Sequence, residues 1–86
     1  MSKDWVVART QLKEALQKQE EALQKHREAL ESFKEAEKAL GSDAPEEVGV
    51  KLDEQILRET IRVKSLERNI RDIQRDLSGK YSLAIA

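Results

Sequence analysis

Apolar residues recur through the first half of the chain at alternating steps of four and three, the spacing of a helix that buries one stripe against a partner helix. The tripeptide Glu-Ala-Leu begins at Glu14, Glu21 and Glu28, so this half is an internal repeat of seven residues. We predict an amphipathic helix over residues of about 3–40. The apolar stripe, with its polar insertions, consists of Leu12, Leu16, Gln19, Leu23, His26, Leu30, Phe33, Glu37 and Leu40.

The second half carries two stripes of different character. The first is almost wholly apolar and is predicted to pack against the first helix. It consists of Val48, Leu52, Ile56, Glu59, Val63, Leu66, Ile70, Ile73 and Leu77. The opposite stripe changes from apolar to basic along its length. Its apolar residues are Val50, Leu57 and Ile61, and its basic residues are Lys64, Arg68, Arg71 and Arg75. Each of its three apolar side chains forgoes roughly 1.5–3 kcal/mol in water, so we expect them to form a self-association face.

Glycine and proline separate the two predicted helices. Gly41 is suited to the left-handed conformation that ends many helices. Asp43 has the spacing of the N-cap of a capping box, with Pro45 in the first turn of the next helix. We therefore predict a turn at 41–43 and a second helix over about 44–78.

These elements predict an all-α fold, a long antiparallel helical hairpin or two-helix coiled coil over residues 1–79. A hairpin of this size buries little surface, so we expect two copies to dimerise into a four-helix bundle. Antiparallel pairing about the turn places His26 opposite Glu59 or Thr60. We interpret Gln19, His26 and Glu59 as a polar layer that sets the register of the two helices.

Charge is balanced in total but unequal along the chain. The 86 residues include 16 basic and 17 acidic side chains, for a formal net charge of −1. Two cations meet six anions between Asp43 and Glu59, whereas six cations meet three anions between Arg62 and Lys80. The turn end is therefore acidic and the open end basic. These ends either orient an antiparallel dimer or are simply solvated.

No residue pattern indicates catalysis. The chain has no cysteine and one histidine, which excludes thiolate and multi-histidine metal sites. It also lacks a phosphate-binding glycine loop and a nucleophile elbow. We expect no enzyme activity, catalytic residue, metal site or cofactor. No apolar run approaches the ~20 residues of a membrane span, so we expect a cytoplasmic protein that does not bind membranes.

At the end of the chain, the larger apolar residues recur at every second position and no longer at the spacing of a helix. Within residues 80–86, Tyr81, Leu83 and Ile85 alternate with small residues, as in a strand. This tail either folds back on the hairpin near Trp5 or adds to the edge of a sheet in a partner protein. We expect the three larger residues to make the contact in both cases.

The sequence favours a non-enzymatic protein–protein interaction module. We expect a small coiled-coil adaptor, assembly factor or inhibitor that forms a homodimer and binds another protein, with the tail and the basic end as contact points. The alternative is a nucleic-acid-binding helical bundle that contacts phosphates through Lys64, Arg68, Arg71 and Arg75. A composition of only 3% aromatic residues and a net charge near zero argue against this alternative.

Overall fold

The structure, a computed structural model, describes residues 3–79 as two long α-helices that pack side by side. Helix α1 comprises Lys3–Leu40 and helix α2 comprises Glu46–Ser78. They form an extended hairpin whose dimensions are 64 × 16 × 15 Å, and no strand occurs within the described range. The predicted all-α helical hairpin is confirmed.

Helix α1 has the predicted bounds. It contains no glycine or proline and is rich in alanine, leucine, glutamate, lysine and glutamine, which lose little rotamer freedom in a helix. Gly41 follows its last residue with a φ of 64°. This left-handed conformation is easily adopted only by glycine, and it turns the chain away from the helix axis.

Helix α2 begins later than predicted, and its predicted cap is absent. Pro45 is the N-cap residue, with φ −57° and ψ 138°, and no side chain caps the helix. The capping box at Asp43 was therefore a wrong prediction. The reason is that a proline ring disfavours the helical conformation of the residue before it, so Ala44 cannot join the helix. The turn consequently covers 41–45 and not 41–43.

The core lies in the middle and toward the open end of the hairpin. Its most buried members are each 8% exposed, namely Leu23, Val63, Leu66 and Ile70. Leu16, Ala22 and Leu30 pack against them. Both predicted stripes contribute to this core, as expected for a two-helix seam. No side chain within residues 4–79 is fully buried, because within this range each helix packs against one other helix.

Packing loosens toward the turn. Val48 is 43% exposed and Leu40 is 37% exposed, although both belong to the predicted seam. The space beside Gly49 is also open, since a Cβ placed there would meet no atom within 4 Å. Gly49 and Glu37 line the same cavity beside the turn. The turn end is therefore less tightly held than the middle of the hairpin.

Candidate protein-binding surface

Three apolar residues of α2 lie on the side turned away from α1, and we call them the outer apolar face. Val50 is 50% exposed, Leu57 61% and Ile61 57%. On the opposite side of the same helix, Val63 and Leu66 are only 8% exposed. The hairpin thus places the outer apolar face in solvent, because α1 covers one side of α2 only.

A row of cations, which we call the basic stripe, continues the outer apolar face toward the open end. All four of its members are exposed, and they are Lys64, Arg68, Arg71 and Arg75. Anions lie beside them. Arg75 Nη2 is 3.6 Å from Asp72 Oδ1, and Glu67 lines a shallow depression together with Lys64, Arg68 and Arg71. Exposed ion pairs contribute about 0–1 kcal/mol, so the cations stay available to another molecule.

One further ion pair connects the two helices near this depression. Arg27 Nη2 of α1 lies 3.9 Å from Glu67 Oε2 of α2, and the two side chains are 53% and 41% exposed. Sequence reasoning missed this pair, since both residues lie beside the seam and not within it. Because Arg27 offsets part of the negative charge of Glu67, this anion reduces the positive charge of the basic stripe less than it would alone.

A polar contact crosses the seam at its middle. His26 Nδ1 lies 2.6 Å from Glu59 Oε2, and the side chains are 30% and 20% exposed. The sequence places His26 opposite Glu59 or Thr60, and in the structure its contact is with Glu59. Gln19 does not join this contact, because it is two helical turns or about 10 Å away along α1, and its buried Oε1 has no hydrogen-bond partner.

Two carboxyl groups approach each other beside the turn. A hydrogen bond with Asp53, loss of hydration and the Asp53 charge raise the pKa of Glu37 above its ordinary value, while Lys34 opposes the shift. In the sequence, the indication of this contact was that Glu37 occupies a position of the apolar stripe. We interpreted it only as a polar interruption, because nothing in the sequence placed Asp53 beside it.

An open apolar groove of about 540 Å³ occupies one side of the turn end. Sequence reasoning missed this groove, although small residues at 36 and 39 were a signal that the helices leave space there. Its apolar lining consists of Ala36, Ala39, Leu40, Val48 and Leu52.

Three sequence predictions concern the tail, metal binding and membrane association. Tyr81, Leu83 and Ile85 of the predicted tail lie outside the described residues. Within residues 3–79, no three histidine or acidic side chains lie close enough to hold a metal ion. Over the same range, no helix is long and apolar enough to cross a membrane.

No protein-family model, curated protein or solved structure matches the chain.

Proposed function

We propose that the chain is a non-enzymatic protein-binding module, a small cytoplasmic adaptor, assembly factor or inhibitor, that self-associates through its outer apolar face. The observation that carries the proposal is the exposure of Val50, Leu57 and Ile61, which are 50%, 61% and 57% exposed. Burial of each such side chain is worth roughly 1.5–3 kcal/mol. Grouped exposed apolar residues are typical of interaction surfaces.

The limited core of the hairpin supports a second copy as one partner. Only four residues are buried in the described part, and the hairpin is just 16 × 15 Å in cross-section. Small domains with so little buried surface commonly gain stability by oligomerisation. A homodimer of hairpins contains four helices and covers the outer apolar face of both copies.

The mass of the purified protein in solution tests this proposal. We expect the wild-type chain to sediment at twice its monomer mass of 9.9 kDa, and the Leu57→Ser/Ile61→Ser variant to sediment as a monomer of unchanged helix content. The matched control is Val6→Ser/Val7→Ser, because these valines are 50% and 48% exposed but lie near the open end. A monomeric wild type at high concentration overturns self-association.

Binding to a different protein is the other half of the proposal. The exposed basic stripe suits an acidic surface, either of a different protein or of a second copy, because complementary charge speeds and orients association. Affinity capture from the native host, with the full chain and with a chain ending at residue 79, tests the contribution of the tail. We expect the shorter chain to remain folded and to lose its partner. Identical captured proteins would exclude the tail as a contact.

Nucleic-acid binding is the second candidate function, and the exposed basic stripe favours it. The four cations extend over roughly 16 Å of helix, enough to contact several phosphates. Asp72 and Glu67 beside them weaken this candidate. If it is correct, affinity for a generic duplex falls steeply with salt concentration. Absence of retention on a polyanion column at low salt would exclude it.

A further inference from the structure

The outer apolar face and the first three residues of the basic stripe belong to one continuous seam along α2, which we call the outer seam. Its members follow one another at alternating steps of three and four, the spacing of a helix–helix contact. Their order from the turn toward the open end is Glu47, Val50, Glu54, Leu57, Ile61, Lys64, Arg68 and Arg71. All eight are exposed. Acidic residues occupy one end of the outer seam and basic residues the other.

From this order we infer that the outer seam pairs with the outer seam of a second copy, antiparallel, about a two-fold axis at the level of Glu59. The inference rests on the proposed self-association and specifies its geometry. Leu57 and Ile61 lie at equal distances on either side of this axis. Leu57 of each copy therefore faces Ile61 of the other, and four apolar side chains meet at the centre.

The same axis brings opposite charges together on both sides of this apolar centre. Glu54 faces Lys64 of the second copy, and Glu47 faces Arg71. By symmetry each contact occurs twice, so four pairs of opposite charge flank the apolar centre. Val50 faces Arg68, whose aliphatic stem can cover it while the guanidinium stays in water.

Other arrangements of the two seams lose these contacts. A parallel pair keeps apolar residues together, but it sets the cations of both copies against each other, and likewise Glu47 and Glu54, so like charges repel on both sides of Leu57 and Ile61. An antiparallel pair shifted by one heptad in one direction places Leu57 against Arg68. A shift in the other direction places it against Glu54. Only the pairing about Glu59 joins Leu57 to Ile61.

The position of the outer seam also determines the shape of the dimer. The seam lies on the side of α2 opposite Val63, Leu66 and Ile70, which α1 covers. Pairing of two outer seams therefore places both α2 helices at the centre and both α1 helices outside. The expected assembly is a flat row of four helices, which differs from a square four-helix bundle.

Single-cysteine variants test the register directly, because the natural chain contains no cysteine. Oxidation of a mixture of Glu47→Cys and Arg71→Cys chains should give the mixed disulfide. Glu47→Cys alone should give none, since its two copies lie roughly 36 Å apart in the antiparallel pair. Efficient disulfide formation by Glu47→Cys alone overturns the inference, and so does a dimer that forms no mixed disulfide.

Charge reversal provides an independent measurement. We expect Glu54→Lys to raise the dimer dissociation constant roughly tenfold, because it replaces two attractive contacts with two repulsive ones. Glu54→Lys/Lys64→Glu should restore it. The matched control is Glu35→Lys, an exposed glutamate of α1 outside the outer seam. Equal weakening by the control, or no recovery in the double variant, overturns the inference.

These experiments separate the inference from the proposal beneath it. If the wild type is a dimer by mass but Glu47→Cys chains alone form a disulfide, the outer seams do not pair antiparallel. The proposed self-association then stands. If the wild type is a monomer at every concentration, both are wrong.

Discussion

The substitution Gly49→Ala tests whether the turn end is held loosely by its own sequence. Gly49 lies within α2, and its φ is not positive, since the positive-φ glycine of the described chain is Gly41. A Cβ built at Gly49 contacts no atom within 4 Å. Alanine can therefore replace this glycine without strain and without a steric clash.

The expected gain follows from backbone entropy alone. Glycine within a helix is less favourable than alanine by roughly 0.5–1 kcal/mol, because the unfolded glycine loses more freedom. The new methyl group meets no atom within 4 Å, so packing adds nothing substantial to this figure. For a domain of this size, 1 kcal/mol corresponds to about 4–8 °C in Tm. We therefore expect Gly49→Ala to raise Tm by about 2–8 °C.

Gly41→Ala is the matched control. The added methyl group also meets open space there, but Gly41 has a φ of 64°. A left-handed conformation costs alanine about 1–2 kcal/mol. The same chemical change should therefore stabilise the protein at Gly49 and destabilise it at Gly41.

Thermal and urea unfolding, followed by far-ultraviolet circular dichroism, measure both variants. All samples need one protein concentration, because self-association makes Tm depend on concentration. A Gly49→Ala variant less stable than the wild type would show that Gly49 does not occupy an unstrained, open helical position. Shifts of the same sign for both variants would equally refute the reasoning from backbone conformation.

Three further substitutions probe the polar residues of the seam. Gln19→Leu should raise the free energy of unfolding by about 1–2 kcal/mol in urea titrations, because it removes a buried oxygen without a partner; unchanged stability would mean that Oε1 is hydrated. Because the pKa of Glu37 is raised in the folded chain, its stabilising contribution is complete in acid, below the unfolded pKa, and is lost as the pH rises through the folded pKa. Glu37→Gln should therefore be more stable than the wild type at neutral pH, and the difference in stability should disappear in acid. Urea titrations at several pH values measure this difference. A difference that grows in acid contradicts the prediction. His26→Leu should lower the free energy of unfolding by about 1 kcal/mol, because it leaves the Glu59 carboxylate without its partner. The double variant His26→Leu/Glu59→Leu should recover the lost stability. Equal stability of the single and double variants would mean that the contact contributes nothing.

Much of the hairpin could be predicted because its determinants are local. A run without glycine or proline predicted α1, and Gly41 predicted its end. The alternating spacing of apolar residues also predicted the seam. Since the turn is short, that spacing determines the register, and His26 lies opposite Glu59 as expected. The start of α2 was the exception, because the effect of Pro45 on Ala44 outweighs the capping pattern at Asp43.

The features of the candidate binding surface were likewise predictable from the sequence only in part. The sequence by itself determined the two helices, the stripe that joins them and the outer seam, because helical periodicity alone decides which residues share a face. Only the tertiary structure decided how deeply each seam residue is buried, that Gln19 lacks a partner and that Glu37 meets Asp53. The physical reason is that burial and pKa depend on what the opposite helix places across the seam, and residues far apart in the chain come together only when the two helices pack.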